Sequence, residues 1–354
     1  MRILYGVTGE GLGHAMRSRV VLDLLRADGH DVLVAASARA ATYLAARGHR
    51  VVAIDGFSLQ YADGALLRAR TLSRTLRTAP ASLARNLAAA REHVDPFAPE
   101  VCVTDFDSFA HAWGLRHRVP VVSLDHHHVI TRCAHDRAAR ALLPRGFSLT
   151  QAVVRAKLPG CRRYIASSFY QPRVHPRYAR DTAVTGPVLR PEVLPLAPST
   201  GEHVLVYQTS PARSRIEDVL RASPGATFVV YGRGRDERLG NVHFRAFDEG
   251  RFLDDLASAR AVITNGGHTV MAEALHLGKP LLSVPVRHQG EQELNAAYLQ
   301  HLGYGLAARR LDAPSLHRFL RWVDAPERPP VPRVPAGNDD VARHLRDALT
   351  ECAR

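Results

Sequence analysis

Short runs rich in Val, Ile, Leu and Ala alternate with longer segments of helical periodicity, and they do so twice, on either side of a proline-rich stretch. In the first series, strand patterns at 2–8, 31–36, 51–55, 101–104 and 119–124 are separated by helical patterns at 15–28, 38–47, 66–94 and 108–116. Runs that are apolar on both faces need cover from both sides, which points to a parallel sheet between helices. An irregular, basic stretch follows, with strand patterns at 163–167 and 183–185. Gly186, Pro187, Pro191, Pro195 and Pro198 then interrupt all periodicity. The second series has strand patterns at 203–208, 227–232, 242–246, 261–264 and 280–284, with helical patterns at 214–222, 251–257, 270–277 and 289–302. The expectation is α/β, with two doubly wound domains facing a cleft. The boundaries are 1–185, a hinge at 186–200, 201–330, and a tail at 331–354 that carries a last helix at 339–351. A length of 354 residues fits two cores better than one. Open α/β sheets bind ligands at the carboxyl ends of their strands, so both domains would present loops to the cleft.

Composition removes several classes. No run approaches 18 consecutive apolar residues, so no membrane-spanning helix is expected. The chain enters a strand at once, without the apolar stretch of a signal peptide. Cys102, Cys133, Cys161 and Cys352 form no C-x-x-C pair and no metal spacing, and read as reduced thiols of a cytoplasmic protein. The net charge of +13 is carried almost wholly by arginine, since Lys157 and Lys279 are the only lysines. That usage reflects coding bias as well as function. Its distribution is more telling. Residues 131–180 hold eleven Arg or Lys and one acid, Asp136, and a second run includes Arg68, Arg70, Arg74, Arg77, Arg85 and Arg91. These runs are either solvated helix faces or a surface for an anionic partner. Such a partner would be a phospholipid surface, which would make the protein peripheral to the inner face of a membrane, or a phosphorylated acceptor. Nucleic acid fits least, because no aromatic residues interleave the charges.

The segment Thr264-Asn265-Gly266-Gly267-His268-Thr269 reads as a strand end, a glycine turn and a helix N-terminus. Unpaired N–H groups beside the positive end of a helix dipole suit a phosphate. Glu273, six residues past Gly267, would reach the hydroxyls of a sugar joined to that phosphate. In the first domain, Gly9-Glu10-Gly11-Leu12-Gly13-His14 follows the first strand. It misses the third glycine of a dinucleotide fingerprint, and no acid ends the second strand, so a nicotinamide or flavin site is disfavoured. A glycine loop that brings His14 to a cleft suggests a general base or a phosphate anchor. Asp105 suits the carboxylate that orients such a histidine, although Asp105-Phe106-Asp107 could also hold a divalent metal, and Asp107 could simply cap a helix. Asp125-His126-His127-His128 lacks further ligands at metal spacing and reads as a cleft-lining loop. Arg190 at the hinge, with Thr209 and Ser210 after a strand, could add a positive charge and hydroxyls toward a diphosphate. Glu291, Gln292 and Asn295 would read sugar hydroxyls or cap their helix.

Gly266-Gly267-His268-Thr269 with Glu273-Ala274-Leu275, Gly278-Lys279-Pro280, Pro285 and Gln292-x-x-Asn295-Ala296 resembles the donor signature of GT-B glycosyltransferases. The closest families are family 1 and the family 28 C-terminal domain. Gly11-Leu12-Gly13-His14 with Arg17 is similar to the loop that opens such enzymes, and the resemblance runs from residue 1 to about 305. It implies two Rossmann-like domains and transfer of a hexose from a nucleotide diphosphate sugar, most simply a UDP-sugar. Glu273 would hold the ribose, while Gly266, Gly267, His268, Thr269 and Ser210 approach the diphosphate. Glu291 and Gln292 would face the sugar, and Phe247 would lie against the base. His14 would be the base and Asp105 its partner, giving an inverting reaction in which the helix at Gly267 and Arg190 stabilise the leaving diphosphate without metal or other cofactor. Residues 56–100 and 126–180 match nothing in the family, so the acceptor stays open. His268 stands where plant family 1 enzymes carry Trp. Two rivals share the fold: a UDP-sugar 2-epimerase, and a non-catalytic protein that binds nucleotide sugars or anionic surfaces.

Overall fold

The computed structural model describes residues 1–9, 11–56, 61–62, 65–208 and 213–353. Two seven-stranded sheets dominate it. In the first, the strands run in the order 182–185, 163–167, 121–125, 101–105, 2–7, 31–36, 51–53, all parallel. The second runs 237–239, 242–244, 227–231, 203–207, 261–264, 281–283, 305–307, and 237–239 alone is antiparallel. Strand order reverses beside each domain's first strand: between Arg2–Val7 and Val101–Asp105, and between His203–Tyr207 and Ala261–Thr264. Loops diverge at such a switch point and leave a crevice for ligand. His14, Asp105 and the Gly266 turn all sit at these two crevices.

Side chains alternate across each strand, and the buried pattern follows that period. Ile3, Tyr5 and Val7 pack on one face with Leu22 and Leu25, while Leu4, Leu33 and Cys102 pack on the other with Phe97, Trp113, Val154 and Leu158. The first face is also covered by the last helix, Asn338–Cys352, through Val341, Leu345 and Leu349. That helix therefore returns to the N-terminal sheet. Arg346 pairs with Asp28 at 2.7 Å, and Arg163 pairs with Glu351.

The basic stretch after 126 is more regular than its sequence pattern. Arg137–Ala141 and Phe147–Lys157 are helical. The second of these carries apolar residues inside and outside, which hides its period. Phe147 and Val154 are buried, whereas Leu149 and Val153 are exposed. The helix Ala313–Asp324 was also outside the sequence-based pattern, although Asp312 and Ser315 form a capping box that marks its start.

Candidate active site

Asp105 ends a central strand, fully buried, and gathers three donors from one helix face. Its Oδ1 lies 2.9 Å from His14 Nδ1. Arg17 Nε donates to Oδ2 at 3.1 Å and Ser18 Oγ at 3.0 Å. Arg17 Nη2 also reaches Oδ1. His14, Arg17 and Ser18 fall on one side of the Leu12–Ala27 helix because of its 3.6-residue turn. Burial alone would raise the Asp105 pKa, but the Arg17 and His14 charges hold it lowered. The carboxylate thus stays ionised and orients the His14 ring through Nδ1, which Arg17 Nη2 also approaches at 3.1 Å. Asp107 does not join this group; its side chain caps the Ser108–His117 helix, accepting from Ala110 N at 3.0 Å.

The three histidines after Asp125 turn three ways. His128 folds back to Asp125 at 2.6 Å. His127 stacks on Phe106 with ring centroids 3.8 Å apart and meets Glu291 of the other domain at 3.2 Å. Its ring lies 5.5 Å from that of His14. Burial would raise the Glu291 pKa, yet His127 and its neighbours hold it well below the ordinary carboxylate value. His126 Nε2 lies 2.7 Å from Asn295 Oδ1, and Asn295 Nδ2 donates to Gly266 O at 3.0 Å. Among the described residues, no group of three or more His, Cys, Asp or Glu could hold a metal ion.

Across the cleft, Gly266 has φ +92°, and a Cβ there would sit 2.8 Å from Ser283 Oγ. Glycine is required at this turn. Gly267 occupies the N-cap of the His268–His276 helix with no side-chain cap, so the first N–H groups carry no side-chain partner at that end. Thr269 Oγ1 donates to Gly13 O at 3.1 Å, which joins the two glycine loops directly. The His268 ring packs between His126 and Phe169 of the first domain. It is buried against His126 with centroids 3.9 Å apart, and among the described residues neither ring nitrogen has a hydrogen-bond partner. Burial drives its pKa well below the ordinary histidine value.

Arg190, expected to add a positive charge toward a diphosphate, is held by two carboxylates. Its Nε and Nη2 donate to Glu273 at 2.6 and 2.7 Å, and Nη1 donates to Glu249 at 2.8 Å. Its charge is already balanced by two carboxylates, and these raise its pKa against the effect of burial. Glu273 is 0% exposed. Glu249, absent from the sequence reading, also accepts from Tyr43 OH at 3.3 Å and pairs with Arg47. It lies two residues beyond Phe247, and an acid at a helix start was the available signal. Phe247 is 39% exposed beside Tyr231 and Phe252, with its ring open to a planar ligand. Gln292 Oε1 is taken by Val286 N at 3.0 Å. Thr209 and Ser210 lie outside the described residues.

These features agree with relatives of known class. The family model for glycosyl transferase family 1 matches residues 1–324. An uncharacterized glycosyltransferase of Methanosarcina mazei is 24% identical over 334 residues, covering 86% of this chain and 85% of its own. Among solved structures, the calicheamicin glycosyltransferase CalG4 superposes with a TM-score of 0.65 at 19% identity, covering 100% of both chains. The spinosyn rhamnosyltransferase SpnG, complexed with thymidine diphosphate, gives 0.61 at 18% identity, covering 99% of this chain and 96% of its own. With its two doubly wound domains and matched glycine loops, the chain is a GT-B glycosyltransferase and belongs to glycosyl transferase family 1.

Proposed function

We propose that this enzyme transfers a hexose from a nucleoside diphosphate sugar to an acceptor hydroxyl with inversion, using His14 as general base. The observation that carries this reading is the buried Asp105, which holds His14 Nδ1 at 2.9 Å and leaves Nε2 for an acceptor proton. The deprotonated oxygen attacks the anomeric carbon from the face opposite the diphosphate. The uncapped helix start at Gly267 and Thr269 stabilises the leaving group through backbone N–H groups, with no metal or cofactor taking part. Phe247 receives the base. Glu273 accepts from the ribose through the lone pairs that Arg190 leaves free, with Gly266 shaping the turn beneath. Because Glu273 is fully buried, the domains must part for the donor to bind and close before reaction. Closure also brings Glu291 and Gln292 to the transferred sugar and excludes water.

UDP-sugars are the first donors to test, by family resemblance. The thymidine diphosphate held by SpnG makes dTDP-sugars the second set. A thermal-shift screen across nucleotide sugars, followed by product analysis with hydroxylated acceptors, tests the reading. A donor that raises the melting temperature and is consumed only with acceptor supports transfer. Interconversion of UDP-N-acetylglucosamine without acceptor would replace it with 2-epimerisation. Binding without turnover on any acceptor would leave a non-catalytic carrier.

A further inference from the structure

The two basic runs share a property that composition alone does not reveal. On the Phe147–Lys157 helix, Leu149, Ala152, Val153 and Ala156 fall at i, i+3, i+4 and i+7, and all four are exposed. Leu149 is 48% exposed and Val153 56%, while Leu142 just before the helix is 46% exposed. This is an apolar stripe that no described residue covers, on the side opposite buried Phe147 and Val154. Exposed Arg155 lies on the same helix, and exposed Arg137, Arg140 and Arg145 lie in the segment that leads into it. The Arg68–Ala89 helix also leaves apolar side chains outside, with Leu83 at 60% and Leu87 at 41% exposure, and carries exposed Arg70 and Arg77. The residues following that helix, Ala90 and Val94, join Val154 and Leu158 in one core cluster.

We propose that the outer face of the Phe147–Lys157 helix docks the enzyme on an anionic lipid bilayer. Aliphatic side chains flanked by arginines suit the boundary between acyl chains and acidic headgroups. A second copy of the chain is a poor occupant, because the contact would bring two arginine sets of like sign together. Binding is peripheral, since among the described residues no helix is long and apolar enough to cross a membrane. The docked face adjoins the cleft. Thr150 packs directly against Gly290, the residue before Glu291. The enzyme would therefore hold its cleft next to the headgroups. Docking does not depend on the proposed chemistry, and its test reads binding alone.

The test is sedimentation with phosphatidylcholine vesicles, with and without about 30% phosphatidylglycerol, at low and high sodium chloride. The full-length protein should sediment with the anionic vesicles at low salt and release as salt rises, each arginine contributing about five-fold to partition. Leu149→Ser with Val153→Ser, which leaves the charge unchanged, should lower partition at least about ten-fold without moving the melting temperature, since both side chains are exposed. Arg145→Glu with Arg155→Glu, which leaves the apolar stripe intact, should do the same, and Leu194→Asp at the hinge should leave binding unchanged. Failure to sediment with anionic vesicles at low salt overturns the proposal. Equal partition of wild type and the Leu149/Val153 variant also overturns it, because charge alone then accounts for binding. So does a concentration-dependent dimer that this variant abolishes.

Discussion

Arg190 and Glu273 face each other through two parallel hydrogen bonds of 2.6 and 2.7 Å, both side chains almost wholly withdrawn from solvent. The pair ties the hinge to the helix behind the donor loop. Two charges buried this way are costly to separate, because the survivor keeps its desolvation penalty without its partner. Arg190→Met should destabilise the fold by about 3–5 kcal/mol, and adding Glu273→Leu should recover most of that loss. Denaturant unfolding of the single and double variants measures it. A stable single variant would mean that water or protonation of Glu273 compensates. The double variant should still fail to bind donor, which separates the two roles of Glu273.

His14→Ala should lower kcat by roughly 10²–10⁴ while leaving the donor affinity unchanged. Isothermal titration beside steady-state kinetics distinguishes the two effects. Normal turnover would remove His14 from the mechanism. Asp105→Asn should lose activity and stability together, because Arg17 then lacks its buried counter-charge.

Acid should loosen the domain contact at His126 and His268. Burial lowers both pKa values below the ordinary 6.5. Below that pH the unfolded chain binds protons that the folded chain does not, so stability falls as pH drops through and below about 6.5. Thermal melts between pH 5 and 8 should show this slope. His268→Phe keeps the ring stack without a titrating group and should flatten it. An unchanged slope would assign the effect to other groups.

Gly266→Ala should cost roughly 1–3 kcal/mol, since it combines a left-handed backbone with contact against Ser283. Gly267→Ala, whose Cβ meets nothing within 4 Å, should fold normally, and any loss there should appear in donor affinity. Melting temperature and donor titration on the two variants make the comparison. Equal destabilisation of both would contradict the turn geometry.

Much of the architecture was legible because each strand is a short apolar run and each glycine turn follows one. His14 and Asp105 were legible together for the same reason: adjacent parallel strands bring their following loops to one crevice. The partners of Arg190 were not, because a hinge arginine gives no sign of which carboxylate it will meet. Nor was the stacking of His126 on His268, which depends on how closely the domains approach. The Phe147–Lys157 helix escaped notice because its outward Leu149 and Val153 mimic core positions.

The chain passes between the two domains at Gly186 and again at Gly337, and these glycines lie backbone against backbone with no room for a Cβ on Gly337. Gly337 N donates to Pro187 O at 2.8 Å, and Asn338 bonds both polar groups of the Leu189 peptide at 2.9 Å. The two crossings are thereby tied to each other, so a change at Asn338 reaches both links between the domains at once.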